Sequence, residues 1–201
     1  MDHYFTIEKS SRAEFKDRGS RFIAYAFPVR DMMAFKKRLV EIKKEHGRAT
    51  HYCFAYRIGI GGDNFRVSDD GEPAGTAGKP ILGQIDSRAL VNTAIIVVRY
   101  FGGTLLGVPG LINAYKTVSA YSLQLTPVIQ KQIELIHIVE FNYTKTNEVM
   151  VVIKRFNCSV LQKDMELFCK FKIGIPGSSI TEALHNFNEI AGIEISAIEN
   201  I

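Results

Sequence analysis

Two stretches of the chain combine residue types that could do chemistry. Ser68-Asp69-Asp70-Gly71-Glu72-Pro73-Ala74-Gly75-Thr76-Ala77-Gly78-Lys79 and Arg99-Tyr100-Phe101-Gly102-Gly103-Thr104-Leu105-Leu106-Gly107-Val108-Pro109-Gly110 each leave a strand-like run for a glycine-rich loop flanked by charge. Loops of this kind can turn backbone N–H groups toward an anion, and the second runs into a helix whose dipole would add to the attraction. Arg99, Lys79 and Lys116 are the cations expected to converge there, beside Gly102, Gly103, Thr104 and Gly107. The spacing matches neither the dinucleotide fingerprint nor the phosphate loop that ends in Gly-Lys-Ser/Thr. Tight strand-to-helix turns also need glycines on structural grounds alone.

Asp69, Asp70 and Glu72 crowd three carboxylates into one turn, which could ligate a hard cation or supply an acid–base pair. An all-oxygen cage needs more ligands than this loop offers, so no metal is expected. The plainer alternative has Asp69 or Asp70 capping the turn and Glu72 in water, or a carboxylate paired with Arg66 or Arg99. His51 and Cys53, two residues apart on one strand face, form a nucleophile–base pair only if tertiary contacts add an orienting group. Free cysteine is commonly a small buried hydrophobe, so no catalytic residue is assigned, and His51 is read as a hydrogen-bonding ligand contact at a cleft edge.

The elements that must position these residues follow from periodicity and punctuation. Tyr4–Ile7 and Ser20–Phe27 read as strands, separated by a Ser10-Ser11-Arg12 turn and a short Ala13–Lys16 segment. Met32, Phe35, Leu39 and Ile42 recur at helical spacing, with Asp31 as N-cap, Gly47 as terminator and the intervening lysines and Arg38 on a solvated face. His51–Ile58 alternates, placing Tyr52, Phe54, Tyr56 and Ile58 in the core and His51, Cys53, Ala55 and Arg57 opposite. Gly61-Gly62-Asp63-Asn64 turns the chain into Phe65–Asp69, and a short helix from about Lys79 to Leu90 carries Pro80 in its first turn. Thr93–Val98, apolar on both faces, is a central strand. A helix from Leu111 to about Leu125 follows, with Leu111, Tyr115, Val118, Ser122 and Leu125 on its stripe.

Beyond Thr126-Pro127 the order is β-α-β-β-α-β, the ferredoxin-like split arrangement. The chain is therefore read as two domains, residues 1–130 and 131–201. Its 201 residues, 46% hydrophobic and 23% charged, suit a globular protein. No apolar run reaches the roughly 18 residues of a membrane span and no signal-like start is present, so a cytoplasmic location without membrane attachment is expected. Cys53, Cys158 and Cys169 lack the pairing of a zinc or redox site, which fits a reducing compartment. Charge is uneven, +7 through Ile133 and −3 thereafter. A basic first domain is compatible with nucleic acid or another polyanion.

His51-Tyr52-Cys53-Phe54-Ala55-Tyr56-Arg57, Ser68-Asp69-Asp70-Gly71-Glu72-Pro73-Ala74-Gly75-Thr76-Ala77-Gly78 and Val98-Arg99-Tyr100-Phe101-Gly102-Gly103-Thr104-Leu105-Leu106-Gly107 together resemble the signatures of the IMPACT family, called YigZ in bacteria. The resemblance covers the first domain, and the remainder looks like the small C-terminal domain of bacterial members. Pro109 departs from the small residue or glycine expected there, which bears on how that loop flexes. The resemblance implies an α+β protein. Its first domain is expected to be like the second domain of small-subunit ribosomal protein five, with a left-handed βαβ unit. Its second is expected to be ferredoxin-like, resembling domain five of elongation factor G, and the pair resembles domains of that factor which operate on the ribosome. Eukaryotic relatives regulate translation under amino-acid starvation through protein contacts of an additional N-terminal domain. That domain is not expected here, since the first residues already enter the sheet.

The reading that follows is a cytoplasmic, non-enzymatic, translation-linked binding protein without cofactor. It would contact RNA, the ribosome or a translation-associated protein through a basic, glycine-rich cleft. The expected binding residues are His51, Arg57, Arg66, Asp70, Glu72, Lys79, Arg99, Gly102, Gly103, Thr104, Gly107 and Lys116. Two alternatives stay open: an enzyme acting on a small phosphorylated or anionic metabolite, with Asp70 or Glu72 as base or metal ligand, and a protein-interaction module whose loops are scaffold turns.

Overall fold

The computed structural model describes residues 3–198. The chain divides into two compact units, Tyr4–Lys131 and a second formed by the described residues from Gln132 onward. In chain order the first unit carries β1 (His3–Ile7), β2 (Ser11–Asp17), β3 (Ser20–Pro28), α1 (Met32–Glu45), β4 (His51–Ile58), β5 (Asn64–Ser68), α2 (Gly78–Asp86), β6 (Thr93–Tyr100), α3 (Gly107–Gln124) and β7 (Val128–Gln132). Five strands form an antiparallel sheet in the order β2-β3-β6-β4-β5, and β1 pairs with β7 in a separate ribbon.

Strand alternation sorts the side chains of this sheet onto two covered faces. Ile23, Tyr25, Phe27, Phe54, Tyr56, Ala94, Ile96 and Val98 pack with Phe35 and Ile42 of α1. Phe22, Ala24, Cys53, Ala55, Ile95 and Val97 pack with Ile81 and Ile85 of α2 and with Leu111, Tyr115 and Val118 of α3. A strand buried on both sides needs apolar residues in unbroken succession, and β6 has them up to Arg99. The Asp31 carboxylate caps α1 by accepting from the Ala34 amide at 2.7 Å.

Two of the elements that differ from the sequence expectation bear on the site. Residues read as a turn and a short segment form the continuous strand β2, an edge strand whose outward Arg12, Glu14 and Lys16 hide its apolar half, Ala13 and Phe15. It joins β3 through Arg18 and Gly19, both with positive φ, the pair that a tight hairpin turn requires. The second correction is that α3 begins at Gly107, four residues before Leu111. Pro109 thereby falls in the first turn, where a missing N–H costs no helical bond, so the departure at this position is absorbed by the helix. Leu125, expected on the buried stripe, is exposed beyond the helix end.

The second unit contains β8 (Glu134–Asn142), α4 (Thr146–Arg155), β9 (Ser159–Asp164), β10 (Phe168–Pro176), α5 (Ile180–Asn188) and β11 (Ile193–Ala197). Its antiparallel sheet runs β11-β8-β10-β9. Val139, Phe141, Phe171, Ile173 and Ile175 meet Val149, Ile153 and Phe187 of the helices in a separate core. All three cysteines are free and buried, and burial pushes the Cys158 thiol up to about 11.

Candidate functional site

The site grows from one register. In the β4–β6 ladder His51 stands opposite Arg99, so both side chains point from the same end of the sheet toward α3. Arg99 is the single charge on the buried face of β6 and is only 4% exposed. A guanidinium so buried requires a counter-ion, and it donates from Nη1 to Glu72 Oε1 at 2.6 Å. Glu72, itself 9% exposed, takes a second hydrogen bond on the same oxygen from the Tyr115 hydroxyl of α3 at 2.6 Å. The Arg99 plane lies near the rings of Phe22 and Phe101, while Nη2 donates to Ser20 Oγ at 3.3 Å.

Cys53 and His51 complete the cluster. The Cys53 thiol lies 3.0 Å from the Asp69 carbonyl and 3.3 Å from the Tyr115 oxygen. The phenolic proton of Tyr115 is committed to Glu72, so this oxygen acts as an acceptor toward the thiol. Burial pushes both the Cys53 thiol and the Tyr115 phenol well above their ordinary values, which keeps both protonated and leaves Cys53 without nucleophilic character. His51 Nδ1 is 2.8 Å from the Asp70 carbonyl. A carbonyl can only accept, so Nδ1 bears the proton, and in the neutral ring Nε2 presents a lone pair, 4.0 Å from Glu72 Oε1.

The carboxylates of the first glycine-rich loop are used for folding. Asp69 accepts from the amides of Gly75, Ala77 and Gly78 at 2.8–3.0 Å, pinning the loop to the start of α2. Burial alone would raise its pKa, but the three amides together outweigh it and hold the carboxyl below the ordinary range. Asp70, at φ 43°, turns the chain and accepts the Tyr52 amide at 2.7 Å. The capping expected of Asp69 or Asp70 is thus present in both, whereas Glu72 is buried and ion-paired rather than solvated. In the second loop Gly102 abuts the β2–β3 turn so closely that an added Cβ would overlap the backbone of Gly19 and Ser20, and its amide donates to Ser20 Oγ at 3.2 Å.

Above this floor opens a cleft of about 320 Å³ lined by His51, Glu72, Pro73, Arg99, Phe101, Leu105, Leu106, Gly107, Val108 and Leu111. The structure brings His51, Glu72, Arg99 and Gly107 to it. Gly102, Gly103 and Thr104 lie exposed on the adjoining loop, and Asp70 lies behind His51. Four of the expected cations stand elsewhere. Arg57, six residues along β4 from His51, is held by Asp86 and the Gly62 carbonyl. Arg66 pairs across the ladder with Tyr56 and so lies on the α1 face of the sheet. Lys79 and Lys116 are exposed on α2 and α3 and do not line the cleft. The convergence of cations expected here is corrected accordingly: Arg99 is neutralised by Glu72, and the walls are apolar. Sequence reasoning also missed Ser20, Phe101, Leu105 and Val108. No group of three or more His, Cys, Asp or Glu is placed to hold a metal among the described residues, and no helix there is long and apolar enough to cross a membrane.

Residues 18–123, which supply every group of this cluster, match the model of the Impact N-terminal domain. The chain belongs to the IMPACT family. Its IMPACT relatives include YvyE of Bacillus subtilis, 38% identical over 144 residues, 72% of this chain and 66% of that protein. YigZ of Escherichia coli is 30% identical over 81% of each chain. A crystal structure titled only as a hypothetical protein matches the whole of both chains with TM-score 0.76 and 26% identity. The two-domain translational regulator Yih1 is 25% identical, but covers 61% of this chain with TM-score 0.36, an overlap too weak to carry an argument about fold.

Proposed function

We propose that this IMPACT-family protein is a translation-linked regulator that acts by contact rather than chemistry and meets RNA on or beside the ribosome. The translation link rests on the family resemblance. The resemblance implies that the first unit is like the second domain of ribosomal protein five and that the second unit, with its β-α-β-β-α-β order, is like domain five of elongation factor G. The observation that carries the RNA contact is the surface of α1 and its flanks. Between Arg30 and Arg48 the sequence has seven Lys and Arg against three carboxylates. Of these, Arg38 pairs with Glu41 at 3.0 Å, while Lys36, Lys37, Lys44 and Arg48 make no ion pair among the described residues and are exposed. Exposed, unpaired cations can release the counter-ions of a phosphate backbone, which a buried and neutralised Arg99 cannot. Lys79 and Lys116, on α2 and α3, lie across the sheet from α1 and outside this surface, so in this reading the contact moves from the cleft to the α1 side of the first unit.

The test is ribosome co-sedimentation and a single-stranded RNA shift at increasing salt. Each phosphate neutralised should contribute a log–log slope of roughly 0.7. Replacing Lys36, Lys37 and Lys44 by Glu should lower affinity and flatten the slope by about 2, whereas the same change at Lys163 and Lys170 should do little. Absence of binding even at low salt overturns the reading.

A further inference from the structure

The cleft keeps unused hydrogen-bond donors even though most of the cations expected around it stand elsewhere. Arg99 spends Nη1 on Glu72 and Nη2 on Ser20, but the Nε of this buried, cleft-lining side chain has no acceptor among the described residues. A buried donor left unpaired carries a desolvation penalty that an incoming acceptor removes. A second set of donors lines the same cleft. The 18-residue α3 begins at Gly107 and Val108, no side chain caps it, and its first turn holds no acidic residue. The first amides of a helix have no intrahelical acceptor and sit at the positive end of its dipole.

We propose that this cleft binds a monocarboxylate that carries an apolar group. The carboxylate accepts from the Gly107 and Val108 amides and from Arg99 Nε, and the apolar group packs on Phe101, Leu105, Leu106 and Leu111. Charge limits the ligand to a single negative unit. Pro109 has no N–H, so the first turn of α3 offers the amides of Gly107 and Val108 and no third. Glu72 already cancels the charge of Arg99, so a phosphate dianion would meet a carboxylate with no free cation to offset it. The walls select the rest of the ligand. Leu106 and Leu111 are buried while Leu105 is 81% exposed, and an apolar group laid between them removes surface from water that acetate would leave wet. The site shares no residue with the α1 surface proposed for RNA.

The test is an NMR titration of the full-length chain with 4-methylpentanoate, read at the backbone amides and at the Arg99 Nε–H. Saturable shifts are expected at Gly107, Val108 and Arg99 Nε. Uncharged 4-methylpentanamide, acetate and inorganic phosphate should each bind about tenfold or more weakly, the first losing the charge and the other two the apolar contact. Acetyl-Gly-Leu with a free carboxylate distinguishes the sources of this chemistry. Tighter binding than 4-methylpentanoate assigns the site to the end of a protein chain, weaker binding assigns it to a small acid, and either supports the proposal. Val108→Glu should abolish binding, while Val108→Gln should retain it within about threefold; an acidic residue in the first turn favours a helix, so the fold is kept. Leu105→Ser, at a side chain too exposed to support the core, should weaken binding and serves if both changes at Val108 disturb the helix. Equal binding of the uncharged amide, equal binding by Val108→Glu and Val108→Gln, no shift at Arg99 Nε, or displacement of 4-methylpentanoate by a single-stranded RNA overturns the proposal. RNA binding at α1 without any shift in the cleft leaves it standing, so the two surfaces are tested separately.

Discussion

At the scale of single residues, the cluster under the cleft is a buried ion pair whose second anchor is a phenol. Removing the Tyr115 hydroxyl takes a charge-assisted hydrogen bond from Glu72 and an acceptor from Cys53. Tyr115→Phe should therefore lower the unfolding free energy by about 1.5–3 kcal/mol in urea titration. A loss under about 0.5 kcal/mol would show that water replaces the hydroxyl. Glu72→Gln is harsher, since it leaves Arg99 buried without a counter-charge, and should cost about 3–5 kcal/mol. Asp69 gives the cluster a pH signature. Its folded pKa lies below the unfolded value, so its stabilisation is complete above about pH 4 and is lost as pH falls through the folded pKa. Asp69→Asn should lower the melting temperature at neutral pH and show a shallower decline between pH 4 and 2. An unchanged acid slope would mean that the three loop amides do not set this titration.

At the scale of elements, the two glycine-rich loops are held by different constraints, and substitutions separate them. Gly103 has φ +84° with open space around it, so Gly103→Ala carries only the left-handed backbone cost, about 1–2 kcal/mol. At Gly102 the same methyl meets the backbone of Gly19 and Ser20, which cannot yield without moving the β2–β3 turn. Gly102→Ala should destabilise more than Gly103→Ala in parallel denaturant titrations, and the reverse order would remove the turn from the account. The contrast marks what the sequence discloses. α1, β4 and β6 were legible because period, cap and apolar run agreed. β2 was not, because its alternating charges look like a turn until β3 covers the other half. Arg99, closing an otherwise apolar strand, reads from sequence as an anion ligand with a carboxylate partner as the alternative, and that partner, Glu72, lay within the motif. The apolar rim carried no signal, since nothing about Leu105 and Val108 among glycines tells a buried side chain from one that the backbone places outside.

At the scale of the whole molecule, each unit has its own apolar core. The clusters on both sides of the first sheet draw only on residues from Ile7 to Leu123, with partly buried neighbours inside the same span, and the third cluster draws only on residues from Val139 to Ile195. A core that is complete within one stretch of sequence is what independent folding requires. Tyr4–Lys131 expressed alone should therefore give a dispersed amide spectrum and one cooperative transition. The endpoint matters, because β7 returns to pair with β1, the Glu8 amide donates to the Pro127 carbonyl at 3.0 Å, and the Thr126 hydroxyl donates to the Lys9 carbonyl at 2.9 Å. A fragment ending at Leu125 loses all of these and should melt lower than one ending at Lys131, although both keep the five-stranded sheet and the cleft. The second unit, about 70 residues with a smaller core, lies near the lower margin for folding alone and should be the less stable fragment. An undispersed spectrum for Tyr4–Lys131 would mean that its core is completed by the rest of the chain. Equal melting of the long and short fragments would mean that the β1–β7 ribbon adds nothing to the unit it closes.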